Sequence, residues 1–220
     1  MNRIYKSKYR DTNTDWRRET TEQIFKRIIS LSERDSETKQ RIRWIKGSIE
    51  EAGRYQLIKQ SHKGRSFLDI GGGSAVFAFE FKDSTWKPHI VDPSADDEFL
   101  RIKLGLPFIR NFYKPGQFKK KFGLISLIYV LEHVSNPHEL LRNIRKDLTE
   151  NALLYIEVPD AIAFSVKPKT DDIFNSCHLW MFDPEALLRL LKICGYDILS
   201  LKRVKTLRGH FAIMALAKVK

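Results

Sequence analysis

The chain has 220 residues, 42% of them apolar and 30% charged, a balance that supports a buried core and excludes disordered and fibrous classes. Its longest nearly unbroken apolar run, Phe122 to Leu131, covers 10 residues where a bilayer span needs roughly 20, so no membrane helix is expected. The formal net charge of +12 sits at the two ends: residues 1–66 carry 17 basic and 9 acidic groups, 67–159 carry 12 of each, and 160–220 carry 10 and 6.

Met1 to Lys6 begins with positive charge but lacks the apolar stretch of about 7–15 residues found in signal peptides, and a cytoplasmic location is expected. From Asp15 to about Lys59 the chain is polar, with Ile24, Ile28, Leu31 and then Ile42, Ile45, Ile49 at helical spacing. Ser36 is the expected N-cap between two helices. This segment, residues 1–64, is read as a helical unit covering a pocket, and residues 65–220 as the main domain. Basic pairs Arg17-Arg18 and Lys26-Arg27 suit an anionic substrate, whereas Lys119-Lys120-Lys121 reads as a solvated loop.

Short apolar runs follow, each ending in polar or glycine residues: Ser66 to Ile70, His89 to Val91, Leu124 to Val130 and Leu153 to Val158. They read as buried parallel strands. Between them Ser74 to Lys82, Ala95 to Lys103 and Pro137 to Leu148 read as helices, the last capped by Asn136 with proline at its first position. Asp183-Pro184 starts another helix, Glu185 to Cys194, and Tyr196 to Val204 and His210 to Val219 form an antiparallel pair about a turn at Arg208-Gly209. The expected fold is α/β: a doubly wound, Rossmann-like sheet, mostly parallel, closed by that antiparallel pair and preceded by N-terminal helices.

In such a sheet ligands bind beyond the carboxyl ends of the strands. Asp69-Ile70-Gly71-Gly72-Gly73-Ser74-Ala75 lets a strand turn sharply into a helix and a ligand approach the backbone. A dinucleotide fingerprint fits only partly, because Val76 stands where its third glycine belongs. Cys177 and Cys194 belong to no closely spaced Cys/His ligand set, so neither a disulfide scaffold nor a metal site is expected.

The segment Asp69 to Ala75 resembles the Asp-x-Gly-x-Gly-x-Gly motif of class I S-adenosylmethionine-dependent methyltransferases, with Ala75 in place of the last glycine. Asp92, 23 positions on, resembles that family's ribose-binding acid; Val130 to Pro137, Ile156 to Asp160 and His178 to Asp183 resemble segments of its small-molecule subgroup. Gly123 departs from the family, which often has an aspartate there. The resemblance covers residues 66 to about 219 and implies S-adenosyl-L-methionine as cofactor, held by Asp69, Gly71, Gly72, Gly73, Asp92, Pro93, Asn111, Phe112 and Tyr129.

Four of these residues have a plainer alternative. Asp69 orients the cofactor ammonium or only caps the turn, Asp92 takes the ribose hydroxyls or only starts an Asp-Pro turn, and Asn111-Phe112 borders adenine or fills the core. Glu132, His133 and His178 are the expected catalytic residues, since methyl transfer to a hydroxyl needs alignment and a proton acceptor near neutral pH. Packing and capping are their alternatives, while His62, His89, His138 and His210 read as structural or exposed. The expected reaction is methyl transfer to a small-molecule acceptor, a sugar or other biosynthetic precursor, with oxygen favoured. A nucleic-acid methyltransferase is the enzymatic rival, supported by the basic N-terminal segment. Against it, the chain has no Asp-Pro-Pro-Tyr or Asn-Pro-Pro-Tyr motif, no Pro-Cys nucleophile and no separate RNA-binding module. A methyltransferase-like protein that binds without catalysis is the remaining alternative.

Overall fold

The structure, a computed structural model, describes residues 19–57, 65–83, 85–168, 170–174 and 177–220. Arg17, Arg18 and His62 lie outside these residues. Helices α1 (Thr21–Ile29) and α2 (Glu37–Arg54) open the described chain. Thr20 closes a capping box on α1 with Gln23, and the Ser36 hydroxyl accepts the Lys39 amide at the start of α2, which sets the break at the expected position.

Seven strands follow: β1 (Arg65–Ile70), β2 (Trp86–Val91), β3 (Phe108–Ile109), β4 (Phe122–Ile128), β5 (Leu148–Pro159), β6 (Tyr196–Lys205) and β7 (Phe211–Val219). Their order is β3-β2-β1-β4-β5-β7-β6. β1 to β5 pair in parallel, and β7 runs antiparallel to both β5 and β6, as the Rossmann-like expectation required. α3 (Val76–Phe81), α4 (Pro137–Asp147), the short α5 (Ala163–Val166) and α6 (Pro184–Ile193) connect them. Asn136 and Asp183 cap α4 and α6, each with proline at the helix start.

Alternate strand residues feed two cores. On one face Phe67, Ile90, Leu124 and Tyr155 pack with Phe25, Ile42 and Ile45 of the N-terminal helices and Phe77 and Phe81 of α3. On the other Leu68, Ile125, Leu127 and Ile156 meet Leu141 and Ile144 of α4 and Leu187 and Leu191 of α6. Among the described residues no helix is long and apolar enough to cross a membrane.

Several elements differ from expectation: β5 begins at Leu148, where the preceding helix was expected to end, and not at Leu153. The helix expected from Ser74 begins at Val76, because Ala75 takes a left-handed conformation at φ +65° and prolongs the glycine turn. The helix expected over Ala95 to Lys103 is a π-helical stretch over Glu98–Lys103; the Asp92 carboxylate accepts the Ser94 and Ala95 amides and holds them in a turn. β4 ends at Ile128 and not Val130, since Tyr129 turns to φ +53°. β3, with 2 residues, is too short to show a period in the sequence.

Candidate active site

The strand order reverses between β1 and β4, and the carboxyl ends of these strands and their neighbours carry the polar residues singled out above. The glycine turn leaves β1 under close constraint. A Cβ on Gly71, at φ +75°, would stand 2.6 Å from Val130 Cγ2, and one on Gly72 would stand 2.7 Å from Ile90 Cγ2 and 2.9 Å from Asp69 Oδ2. No side chain fits either place without displacement. The Gly73 amide donates to Asp92 Oδ2 at 3.0 Å, tying the turn to the end of β2.

Asp69 lies beneath this turn, 2% exposed, and its Oδ1 accepts the Ser126 hydroxyl from β4. Burial, aided by the charge of Asp92 and opposed by the Ser126 bond and Arg41, pushes its carboxyl up to about 7. Asp92 is also buried. Its Oδ1 accepts the Ser94 amide at 2.7 Å, the Ser94 hydroxyl at 2.9 Å and the Ala95 amide at 2.9 Å. Oδ1 is thereby saturated, and Oδ2, with one donor, retains an acceptor site. The turn-forming and ligand-accepting alternatives for Asp92 thus use different oxygens.

Pro93 follows half-buried, and the Ile109 carbonyl accepts the amides of both Asp92 and Asn111, at 3.2 and 3.0 Å. Exposed Asn111 and half-buried Phe112 therefore stand beside Asp92 at the same end of the sheet. Tyr129 turns toward β5: its amide donates to the Glu157 carbonyl at 2.9 Å and its hydroxyl is hydrogen-bonded to the Glu157 carboxylate.

Beyond β4, a turn of 3-10 helix over Leu131–His133 holds Glu132 and His133. Glu132 is fully buried, neither carboxylate oxygen has a hydrogen-bond partner, and burial pushes its carboxyl up to about 8. The segment after β5 is laced onto this turn. The Glu132 carbonyl accepts the amides of Leu179 and Trp180 at 2.8 and 3.2 Å, and the Trp180 indole donates to the Val134 carbonyl at 2.8 Å. This lacing brings His133 and His178 together, ring centroids 4.8 Å apart. Each ring donates through Nδ1 to a carbonyl, His133 to Cys177 at 2.9 Å and His178 to Ile173 at 2.8 Å. Burial, with the neighbouring His178, lowers the His133 pKa despite the Cys177 bond.

Two features escaped the sequence reading. Cys177 joins His133 and His178 in a group whose ligand atoms all lie within 4.8 Å of one another, a juxtaposition the sequence did not suggest. A search by spacing misses it because His133 lies 44 residues upstream of Cys177. The second is a buried ion pair. Arg41 on α2 meets Glu157 on β5 through two bonds, one of them Nη2 to Oε1 at 2.6 Å, and the Tyr155 hydroxyl donates to the same carboxylate at 2.6 Å. Burial opposes ionisation, but the Arg41 guanidinium prevails and keeps Glu157 below the usual carboxylate range. A lone acid in the apolar run Ala152 to Val158 was the available signal.

The charges expected on α1 are paired internally: Lys26 with Glu22 at 2.8 Å and Arg27 with Glu19 at 2.7 Å. His89 is buried against Phe118 and Phe122, and the Lys120 ammonium donates to its Nε2, so the lysine run is not wholly solvated.

A family model described as a methyltransferase domain matches residues 16–201. No curated protein matches the chain. Among solved structures, magnesium protoporphyrin IX methyltransferase from Synechocystis PCC 6803, with bound S-adenosylhomocysteine, is 13% identical with a TM-score of 0.57, covering 89% of this chain and 93% of that one. A 1,6-didemethyltoxoflavin-N1-methyltransferase from Burkholderia thailandensis is 14% identical with a TM-score of 0.57, covering 79% and 77%. A 16S rRNA (adenine(1408)-N(1))-methyltransferase from Catenulisporales acidiphilia is 16% identical with a TM-score of 0.52, covering 78% and 91%. At such identities the likeness is one of fold, while the family match spans most of the chain. The protein belongs to the methyltransferase-domain family, the class I S-adenosylmethionine-dependent methyltransferases.

Proposed function

We propose that the chain transfers a methyl group from S-adenosylmethionine to a small-molecule acceptor, a sugar or other biosynthetic precursor, with a hydroxyl oxygen favoured as nucleophile. The observation that carries this reading is the Gly73–Asp92 link, which draws the side-chain-free turn of β1 against an acid with an acceptor site to spare. The fit to the cofactor is chemical. Asp92 Oδ2 accepts a ribose hydroxyl while Oδ1 keeps the loop closed, Pro93, Asn111 and Phe112 border the base, and Gly71 and Gly72 let the ligand approach the backbone. Asp69, a buried carboxyl without a cation in contact, attracts an ammonium from beneath the turn, and Tyr129 lines the methionine side.

Bound there, S-adenosylmethionine supplies a methyl group activated by its positive sulfur. What remains for the protein is alignment of the acceptor and removal of its proton. His133 and His178 present Nε2 as the basic atom, because each Nδ1 is fixed as a donor. Burial keeps His133 neutral, the form in which it can accept a proton. The N-terminal helical segment covers the acceptor side, anchored through Arg41.

Calorimetry with S-adenosylhomocysteine is expected to find one site per chain. Asp92→Asn, which preserves size, is expected to weaken it by about 1–3 kcal/mol; unchanged affinity would remove Asp92 from the cofactor site. Transfer of labelled methyl to sugar nucleotides and phenols, with RNA in parallel, then separates the acceptor classes. The RNA reading has one observation in its favour, the net charge of +12, and methylated RNA without a methylated small molecule would establish it instead.

A further inference from the structure

The group formed by His133, Cys177 and His178 has the make-up of a metal centre. We propose that these three side chains bind a single divalent ion of the zinc type, with the Glu132 carboxylate beside it.

Four observations carry this. One ligand atom from each residue lies within 4.8 Å of the others. A tetrahedral ion, at about 2.0–2.1 Å from nitrogen and 2.3 Å from sulfur, would draw them to roughly 3.3–3.7 Å, a closing of about 1 Å. Both imidazoles donate Nδ1–H to backbone carbonyls, at 2.9 and 2.8 Å. That is the outer bond by which metal-binding histidines are oriented, and it leaves the lone pair on Nε2. The segment bearing Cys177 and His178 is held to the turn bearing His133 by the paired amides of Leu179 and Trp180 and by the Trp180 indole, so the ligands are mounted on a frame.

The fourth observation is Glu132. Fully buried, it has no hydrogen-bond partner for either oxygen, and Oε1 lies 3.7 Å from His133 Nε2. Burying a carboxylate without a partner is expensive. A divalent cation among the three ligands would give this partnerless acid a positive neighbour. Two nitrogens and one sulfur suit zinc or cobalt better than magnesium or calcium, which take oxygen. Three protein ligands leave a coordination position open. With the ion bound both Nε2 lone pairs are taken, so the two histidines serve as ligands in place of the base, and a hydroxyl or thiol acceptor at the open position would have its proton made more acidic by the ion; that step rests on the methyltransferase reading, whereas the ion binding does not.

The full chain, stripped with chelator, would be titrated with Co²⁺ alone and Zn²⁺ alone. One ion per chain is expected, with a cobalt–thiolate charge-transfer band and tetrahedral d–d absorption. Cys177→Ser should abolish the thiolate band, and His133→Gln or His178→Gln should weaken Zn²⁺ binding by at least about tenfold. Cys194→Ser, at the other cysteine, should leave the band intact. Absence of stoichiometric binding, or a band that survives Cys177→Ser or disappears in Cys194→Ser, would overturn the proposal. S-adenosylhomocysteine calorimetry on the same samples reports fold and cofactor binding separately. Metal binding without cofactor binding would leave the centre standing and sink the methyltransferase reading, and the converse would do the reverse.

Discussion

Asp69 carries the residue-scale consequence of burying an acid beneath a glycine turn. Its folded pKa of about 7 lies above the ordinary aspartate value of 3.8 because burial disfavours the charge. Between those values the folded chain holds a proton that the unfolded chain has released, so this residue's contribution to stability falls as pH rises from about 4 to 7 and is level above. The full effect is on the order of 4 kcal/mol at most. Asp69→Asn is expected to flatten that slope in denaturant titrations run across the interval, and an unaltered slope would show that Asp69 titrates normally. A cation bound above the turn favours the ionised form, so cofactor affinity should rise toward pH 7 and then level off. This site was legible because turn chemistry is local: Asp69, Gly71, Gly72, Gly73 and Asp92 declare themselves within 24 positions. Cys177 was illegible for the opposite reason. Its partner His133 reaches it only through the pairing of two strand-end segments, which no periodicity encodes.

At the scale of elements, helix α2 is fastened to the sheet by charge as well as by apolar burial. Arg41 shares the inward face with Ile45, Ser48 and Ala52, at helical spacing, and all four are buried. Its bidentate grip on Glu157, with Tyr155 and Tyr129 on the same carboxylate, joins α2 to β5. At the helix start Glu37 receives the Arg208 guanidinium at 2.9 Å and so ties α2 to the turn between β6 and β7. Removing one partner of such a buried pair leaves the other charge uncompensated. Arg41→Met is expected to cost about 3–5 kcal/mol, and the double variant Arg41→Met/Glu157→Leu less than that single change. Chemical denaturation of the four proteins of the cycle checks it; strictly additive losses would mean the pair is not coupled. The helix itself was visible in its isoleucine spacing. The inward arginine was not, because a charged residue on a charged helix reads as solvated until the acid it meets is known.

The whole molecule is built so that its N-terminal helices complete one of the two cores. Phe25, Ile42 and Ile45 pack with Phe67, Phe77 and Tyr155. Their burial, at about 1.5–3 kcal/mol each, is comparable with the roughly 5–15 kcal/mol that holds an entire domain folded. A chain beginning at Arg65 would expose that face and strand Glu157 without Arg41, and is expected to lose cooperative thermal unfolding; a sharp transition would make the helices a dispensable cover. The same scale supplies a test between acceptors. The net charge of +12 favours phosphates, yet the cations around α1 are paired: Lys26 of the helix and Lys103 of the π-helical stretch both reach Glu22, and Arg27 reaches Glu19. Cations already paired release few counterions from a nucleic acid. An RNA methyltransferase making about 6–10 phosphate contacts would lose on the order of 10³–10⁵ in affinity between about 50 and 200 mM salt. A small acceptor meets few charges, so its methylation rate at subsaturating acceptor should change by no more than about twofold over that range. A steep fall of the rate with salt would instead mean that the surface cations bind the acceptor, and would move the assignment to nucleic acid.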